Sequence, residues 1–330
     1  MKALVATKFG DTDVLKLEEV EKPQLGADDL LIEVHATAMN PVDTKARKHG
    51  LGGLRVPPFV LGFDVSGVVR ESGSNAAAHF KVGDEVFGLV SLFRNGANAE
   101  FVAADYRTMA KKPASVSHIQ AAALPIALLT AWDGIYDRLQ VKSGETVLIH
   151  AGGGGVGHIA IQLAKLKGAK VITTASSNAS IELVKSLGAD IVINHKQEDF
   201  AKKVLELTNN NGVEAIFDCV GGPVFAKSLD CIAPGGRIAT IVEGSDANPS
   251  EKLFFKNASL HYVFIGAPLM YNLHPELQGK VLSEAAKLAE QGKLKAHVSQ
   301  VLTLEQLAEA HKLQESGTVT GKIGIKVLNN

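Results

Sequence analysis

The sequence has few of the features that mark disulfide-rich, membrane-spanning or nucleic-acid-binding proteins. Only two cysteines, Cys219 and Cys231, occur among its 330 residues, which excludes a disulfide scaffold and a four-cysteine zinc site. No apolar run reaches the roughly 18 residues that cross a membrane. The 34 basic and 35 acidic side chains give a formal net charge of −1, so bulk charge does not attract nucleic acid. We expect a protein of the reducing cytoplasm.

Two kinds of hydrophobic pattern divide the chain. Residues 1–120 contain many short, β-branched or alternating runs separated by glycine turns, which predicts a barrel-like β domain. Strands and helices then alternate to about residue 266, which predicts a doubly wound parallel sheet of about six strands. Those strands are predicted at 146–151, 170–175, 190–194, 213–219, 236–242 and 260–266. A final strand at 322–328 is expected to dock back on the first domain.

A glycine-rich turn follows the first of these strands. The segment AGGGGVG occupies 151–157, and apolar residues at helical spacing predict a helix over 155–167. Gly152, Gly154 and Gly157 fit G-x-G-x-x-G, in which the first glycine permits a tight turn and the third permits close packing of helix on strand. The second lets backbone approach a pyrophosphate at the helix N-terminus. We predict a dinucleotide site; the alternative is a glycine-rich turn without a ligand.

The end of the next strand lacks the carboxylate that is typical of NAD-specific domains. It is followed by Ser176, Ser177 and Asn178, whose hydroxyl and amide groups could bond to a 2′-phosphate. His195 and Lys196 end the following strand and could supply positive charge. We therefore predict NADPH rather than NADH as the cofactor, with a plain solvated loop as the alternative.

Several motifs together resemble the quinone oxidoreductase, or zeta-crystallin-like, branch of the zinc-free medium-chain dehydrogenase/reductase superfamily. They are MNPVD at 39–43, LGFDVSGVV at 61–69, KVGDEV at 81–86, LTAW at 129–132, the glycine loop and KSLGAD at 185–190. The resemblance covers essentially the whole chain. It implies an α/β protein with a GroES-like, β-rich catalytic domain at 1–124 to which 267–330 return, and a Rossmann NADPH-binding domain at 125–266. It also implies a homodimer that reduces quinones or α,β-unsaturated carbonyls.

Zinc-dependent alcohol dehydrogenases share this fold, but their Cys and His ligands correspond here to Asn40 and Phe63. An amide and a phenyl ring cannot replace thiolate and imidazole, which zinc prefers. We therefore predict that no metal is bound.

The catalytic candidates lie where a helix is predicted to begin, near 41–48. Asn40 precedes Pro41 and is expected to be extended and outside the helix, so that its amide could donate to a substrate carbonyl. Asp43 could contact substrate or, equally, cap the helix. Lys45 could polarise the carbonyl or bind phosphate, and a plain surface lysine is the alternative.

Further residues are expected to contact the cofactor, because they match family positions or end a strand of the parallel sheet. They are Thr130, Gly152, Gly153, Gly154, Gly155, Val156, Cys219, Ile241 and Phe264. Cys219 is expected to be a small buried or cofactor-facing residue rather than a nucleophile, because no cationic neighbour in sequence lowers its pKa.

Three functions remain open. The first is reduction of quinones or enones by NADPH, with a small carbonyl or quinone substrate as partner. The second is a zinc-free alcohol dehydrogenase or enoyl-thioester reductase on the same fold. The third is a non-catalytic NADPH sensor or RNA-binding protein, although the near-neutral charge disfavours RNA. For the homodimer, the edge strand near 260–266 could pair across a two-fold axis.

Overall fold

The computed structural model describes residues 1–242 and 248–328. The chain forms two compact units, Met1–Leu129 with Gly266–Asn330, and Thr130–Ile265. The first boundary falls inside a helix, five residues beyond the predicted boundary at 124. No helix in the described ranges is both long and apolar enough to span a lipid bilayer.

Sixteen strands and eleven α-helices are numbered along the described part of the chain. The strands are β1 (Lys2–Ala6), β2 (Leu15–Glu19), β3 (Asp29–Ala38), β4 (Phe59–Val60), β5 (Asp64–Ser72), β6 (Glu85–Leu89), β7 (Phe101–Asp105), β8 (Met109–Lys111), β9 (Thr146–Ile149), β10 (Lys170–Ala175), β11 (Ile191–Asn194), β12 (Val213–Asp218), β13 (Ile232–Thr240), β14 (Ser259–Tyr262), β15 (Val298–Thr303) and β16 (Lys322–Lys326). The helices are α1 (Pro41–Gly53), α2 (His118–Ala122), α3 (Pro125–Trp132), α4 (Gly157–Leu166), α5 (Asn178–Ser186), α6 (Phe200–Leu207), α7 (Gly222–Ser228), α8 (Ser250–Lys256), α9 (Ala267–Met270), α10 (Glu276–Glu290) and α11 (Leu307–Ser316). A π-helical stretch, Asp133–Arg138, follows α3.

The first unit is built around β3, whose long alternating sequence buries one face in the core. β3 pairs antiparallel with β5, β7 and β16, and Leu30, Ile32 and Val34 of β3 are fully buried. The prediction that the last strand returns to the first domain is confirmed, since Gly324 of β16 lies opposite Ala38 of β3. β1, β2 and β4 form a separate three-stranded sheet in this unit.

The second unit is a six-stranded parallel sheet in the order β11-β10-β9-β12-β13-β14, so the predicted doubly wound fold is confirmed. Its strands are rich in buried β-branched and aliphatic residues, as both faces are covered by helices. Three predicted strands of this sheet are wrong by two or more residues at an end, and one of them is β13, which spans Ile232–Thr240 rather than 236–242. β9 stops at Ile149, before a turn in which Ala151 has φ +51°. β14 stops at Tyr262 rather than 266, because its neighbour β13 ends opposite it at Thr240.

Candidate functional site

The turn between β9 and α4 packs tightly at two of its three motif glycines. A Cβ at Gly152 would lie 2.0 Å from Oγ1 of Thr173, and a Cβ at Gly157 would lie 2.2 Å from the Ala151 carbonyl oxygen. At Gly154 the nearest atom to a Cβ would be the Ala151 carbonyl oxygen, at 3.2 Å. The fold therefore requires Gly152 and Gly157, whereas a Cβ at Gly154 would make one tight contact that a small shift could relieve.

The partly exposed side of this turn runs from Gly154 through Gly155 to Val156, while Gly152 and Gly153 are buried. The helix α4 begins at residue 157 rather than at the predicted 155. The N–H groups of its first turn are engaged by the turn itself: the His158 N–H donates to the Gly154 carbonyl at 3.2 Å, and the Ala160 N–H donates to the Val156 carbonyl at 3.0 Å. Among the described residues no backbone acceptor is found for the Gly155 and Val156 N–H groups, so the backbone just before α4 is a surface suited to an anion.

The next loop lies against the glycine turn. A Cβ at Gly153 would be 2.6 Å from Cβ of Ser180, in the first turn of α5. Ser177 is the N-cap of α5: its hydroxyl accepts from the Ser180 N–H at 3.2 Å, and its own N–H donates to the Ser180 hydroxyl at 3.1 Å. Ser176 is half-buried and β10 ends at Ala175. The end of β10 thus presents hydroxyls and a helix N-terminus, and no carboxylate.

A basic pair lies at the same edge of the sheet. Asn194, the last residue of β11, is the register partner of Ala175 in β10. His195 and Lys196 follow directly, and both are exposed. Because parallel strands end at one edge, the structure brings this pair to the same edge as Ser176 and the glycine turn.

Sequence reasoning missed Asp218, which organises the ends of β12 and β13. One carboxylate oxygen accepts from the Val220 and Gly221 N–H groups at 3.0 Å, and the other accepts from Oγ1 of Thr240 at 3.0 Å. The available signal is a single acidic residue at the carboxyl end of an apolar strand. Cys219 follows it, and burial raises the pKa of the Cys219 thiol well above its usual range, which agrees with a non-nucleophilic role.

The other residues predicted to contact the cofactor differ in their exposure to solvent. Thr130 is buried on α3, Ile241 is half-buried just after β13, and Phe264 is 51% exposed after β14. Ile241 and Phe264 therefore lie just beyond the ends of the neighbouring strands β13 and β14, rather than in the last residues of strands reaching 242 and 266.

In the first unit, the catalytic candidates lie at the turn from β3 to α1. Asn40 has φ −134° and ψ 155°, so the prediction of an extended residue before Pro41 is confirmed. Asp43 accepts from the Asn40 backbone N–H at 3.0 Å through one oxygen and from the Gly62 N–H at 3.0 Å through the other. Asp43 is fully buried, so the structure supports helix capping over substrate contact.

The expectation that the Asn40 amide donates to a substrate carbonyl is wrong for this conformation. Its Nδ2 donates to Oδ2 of Asp64 at 2.8 Å and to the Ala38 carbonyl at 3.3 Å, and its Oδ1 accepts from Nζ of Lys322. Asn40 is only 3% exposed. Both amide protons are engaged within the protein, so this conformation has none to donate to a substrate carbonyl.

Buried charges surround Asn40. Burial raises the pKa of Asp64, while the Lys322 ammonium and the Asn40 and Ile126 hydrogen bonds oppose that rise. Burial also raises the pKa of Asp43 to about 7, against the lowering effect of the Gly62 and Asn40 N–H groups. Lys322 donates to the Met39 carbonyl at 2.8 Å and lies 3.3 Å from Oδ2 of Asp64. No local sequence pattern predicts this partner, because 282 residues separate it from Asn40.

The third candidate, Lys45, is exposed on α1. Its helical neighbour Arg47 is fully buried and is bound to Glu315 at 2.6 Å and to the Gly10 carbonyl at 3.1 Å. The polar group of Lys45 is thus accessible, whereas Arg47 fixes α1 to α11.

Two family models match the chain. Residues 26–114 match the alcohol dehydrogenase GroES-like domain, and residues 155–282 match the zinc-binding dehydrogenase family. A zinc-type alcohol dehydrogenase-like protein of Staphylococcus aureus is 33% identical over 97% of each chain. Human quinone oxidoreductase is 33% identical over 98% of this chain and 97% of its own.

Two further proteins extend the comparison. A 2-methylene-furan-3-one reductase of Solanum lycopersicum is 32% identical, over 98% of this chain and 79% of its own. A mycobacterial protein solved in complex with NADPH superposes with a TM-score of 0.88 at 32% identity, covering 99% of this chain and all of its own. The chain belongs to the quinone oxidoreductase branch of the medium-chain dehydrogenase/reductase superfamily. It is an oxidoreductase that uses a nicotinamide cofactor.

The name of the second family model raises the question of zinc. In residues 1–242 and 248–328, no three His, Cys, Asp or Glu side chains converge as an ion would require. The Asn40 amide oxygen already accepts from an ammonium group, and Phe63 carries no donor. The residues at this place do not fit a zinc ion. The partly exposed backbone of Gly155 and Val156, just before α4, by contrast, fits the phosphates of a dinucleotide.

Proposed function

We propose that this protein is an NADPH-dependent reductase of quinones or α,β-unsaturated carbonyls, acting without a metal ion. The observation that carries the proposal is the carboxyl edge of the parallel sheet. There an open glycine turn, a helix N-terminus without a nearby carboxylate, and a basic pair come together. A 2′-phosphate needs hydrogen-bond donors and positive charge, and a carboxylate at the end of β10 would repel it.

Different residues would bind the pyrophosphate and the 2′-phosphate of the cofactor. The backbone N–H groups of Gly155 and Val156, just before α4, would hold the pyrophosphate. Ser176, the N-terminus of α5 and the pair His195 and Lys196 would hold the 2′-phosphate. Because the Ser177 hydroxyl already caps α5, its contribution would be to fix that N-terminus beside the glycine turn.

A bound NADPH supplies hydride, which quinones and enones accept at an electron-poor carbon. The chain's own residues bind, orient the reactants and exclude water. Lys45, whose ammonium is exposed, is the candidate that remains for stabilising negative charge on the acceptor oxygen. Asn40 and Asp43 would act indirectly, by fixing the turn between β3 and α1.

We also propose a homodimer in which β14 of each copy takes part. β14 is an edge strand of the parallel sheet, and its last residue, Tyr262, is 63% exposed. Phe254 and Phe255, in the helix before it, are 80% and 78% exposed. An uncovered edge with large apolar side chains is a surface that natural proteins normally cover.

An acceptor panel tests the proposed reaction. Oxidation of NADPH would be followed with a benzoquinone, an enone, an alkenal, a saturated ketone and an enoyl thioester, before and after treatment with a chelator. We expect turnover with quinones or with enones and alkenals, at least tenfold above the saturated ketone, and no loss of rate after chelation.

The other outcomes identify the competing functions. Turnover confined to the saturated ketone, together with reduction of NADP⁺ by the corresponding alcohol, would indicate a zinc-free alcohol dehydrogenase. Turnover confined to the thioester would indicate an enoyl reductase. Tight NADPH binding without turnover of any acceptor would indicate a sensor. A salt-dependent gel shift with RNA would support the RNA-binding alternative.

A further inference from the structure

Lys322 is the first residue of β16, and the pairing of β16 with β3 places it at the turn between β3 and α1. The Met39 N–H donates to the Ile323 carbonyl at 3.0 Å, and the Lys322 N–H donates to the His297 carbonyl at 2.9 Å. The preceding residue, Gly321, has φ +70°, and a Cβ there would lie 2.3 Å from the His297 carbonyl oxygen. The backbone on both sides therefore fixes where the Lys322 side chain starts.

The Lys322 ammonium group is enclosed by oxygen atoms. It donates to the Met39 carbonyl, to Oδ1 of Asn40 and to Oδ2 of Asp64. Lys322 is 3% exposed and Asp64 is fully buried. Three donors thus meet three acceptors in a place closed to water, which is how a buried ammonium must be satisfied.

The same ammonium determines how its two side-chain partners face each other. Oδ2 of Asp64 accepts from both Asn40 and Lys322, and Oδ1 of Asp64 accepts from the Ile126 N–H at 2.8 Å. The amide of Asn40 is held with its oxygen toward Lys322 and its nitrogen toward Asp64. Without the positive charge, a fully buried carboxylate would lose its cation and the amide would lose the group that orients it.

We propose that Lys322 is the resident cation of this site, a positioning residue whose ammonium holds Asn40 and Asp64 where zinc-dependent relatives would hold a metal. The three surrounding atoms are all oxygens, and two of them, the Met39 carbonyl oxygen and Oδ1 of Asn40, belong to neutral amides. Such a set suits an ammonium group and is a poor match for zinc, which prefers nitrogen and sulfur. The catalytic part of this inference depends on the proposed reductase function, and the cation-binding part does not.

The experiment removes the Lys322 ammonium group by substitution and then restores it with a small ammonium ion in solution. Lys322→Ala removes the part of the side chain that corresponds to propylammonium, so melting temperature is measured with added n-propylammonium chloride, n-propanol or sodium chloride. Lys326→Ala, on the same strand and outside this cluster, is the matched control. We expect Lys322→Ala to melt below wild type and to be restored by propylammonium alone, with no effect on wild type or on the control.

Kinetics supply the second readout. With the best acceptor, Lys322→Ala should lower kcat by about tenfold to 10²-fold, as expected when reacting groups are misplaced by about an ångström. The KM for NADPH should stay within twofold of wild type, and propylammonium should recover kcat. If wild type reduces no acceptor, the proposed function fails while the melting data still decide the role of the cation.

Clear results would overturn the inference. Rescue by propanol as effective as rescue by propylammonium would show that Lys322 only fills space. Should Lys322→Ala fail to fold, Lys322→Arg and Lys322→Met decide the matter. The arginine variant should melt above the methionine variant, and a methionine variant of equal or greater stability would exclude a role for the charge.

Discussion

The buried carboxyl group of Asp43 binds backbone N–H groups, so we propose that its role is structural rather than catalytic. Both of its oxygens accept backbone N–H groups, one from Asn40 and one from Gly62, and the side chain is fully buried. No ion pair of Asp43 is found among the described residues, and burial raises its pKa from 3.8 to about 7. Its charge is therefore costly in the folded state.

A pH dependence of stability follows from this shift. Between about pH 4 and pH 7 the folded protein holds a proton on Asp43 that the unfolded chain releases, so stability from this group falls as pH rises. Compared with Asp43→Asn, the wild type should lose about 2 kcal/mol of unfolding free energy between about pH 5 and pH 7. Urea denaturation of both proteins at each pH measures the difference. A difference that stays constant, or that grows in favour of the wild type, contradicts the assignment.

At the scale of elements, local patterns predict helices and strands well and their ends less well. The alternation of apolar strands and amphipathic helices identifies all six strands of the parallel sheet. The end of β14 is wrong in the prediction because it depends on where its neighbour ends. β4 and β8 have two and three residues, too few to show a period. α8 escapes prediction because Phe254 and Phe255 are both exposed, which breaks the amphipathic pattern.

In the candidate site, too, the sequence predicts features that depend on neighbouring residues and misses contacts between residues far apart in the chain. The packing role of Gly157, the extended Asn40 and the absence of a carboxylate after β10 are local, and the sequence predicts them. The contact that requires glycine at 152 is with Thr173 of the next strand, and the sequence does not predict it. The cluster of Asn40, Asp64 and Lys322 depends on the pairing of β16 with β3. Side-chain periodicity does not report such pairing, so the sequence assigns Asn40 a free amide that the structure shows to be engaged.

The edge strand β14 gives a prediction about assembly. Light scattering should give a mass near twice the 34.8 kDa of one chain. Tyr262→Lys places a charge on the exposed end of β14 and should weaken the dimer at least tenfold, because charged edge strands resist pairing. Val82→Lys changes another exposed apolar residue, in the other unit, and should leave the mass unchanged. A monomeric wild type, or a Tyr262→Lys variant that remains as dimeric as the control, would reject this interface.

At the scale of the whole molecule, the two tasks that we propose fall to different units. The residues proposed to bind NADPH lie within Thr130–Ile265, whereas Asn40, Asp43, Lys45 and Lys322 belong to the unit formed by both ends of the chain. The last strand, β16, contributes the Lys322 ammonium group that binds Asn40. In the first unit this strand therefore supplies a polar contact at the candidate site as well as packing. Variants of the two groups should therefore affect different quantities, cofactor affinity in one case and turnover in the other.

The most direct test is a calorimetric titration of the protein with NADPH and with NADH. Wild type should bind NADPH at least tenfold more tightly. Gly154→Val should lose binding and should melt closer to the wild-type temperature than Gly157→Ala. A Cβ at Gly154 would lie 3.2 Å from the Ala151 carbonyl oxygen, whereas a Cβ at Gly157 would lie 2.2 Å from it. Tighter binding of NADH, or undiminished NADPH binding by Gly154→Val, would contradict the proposed site.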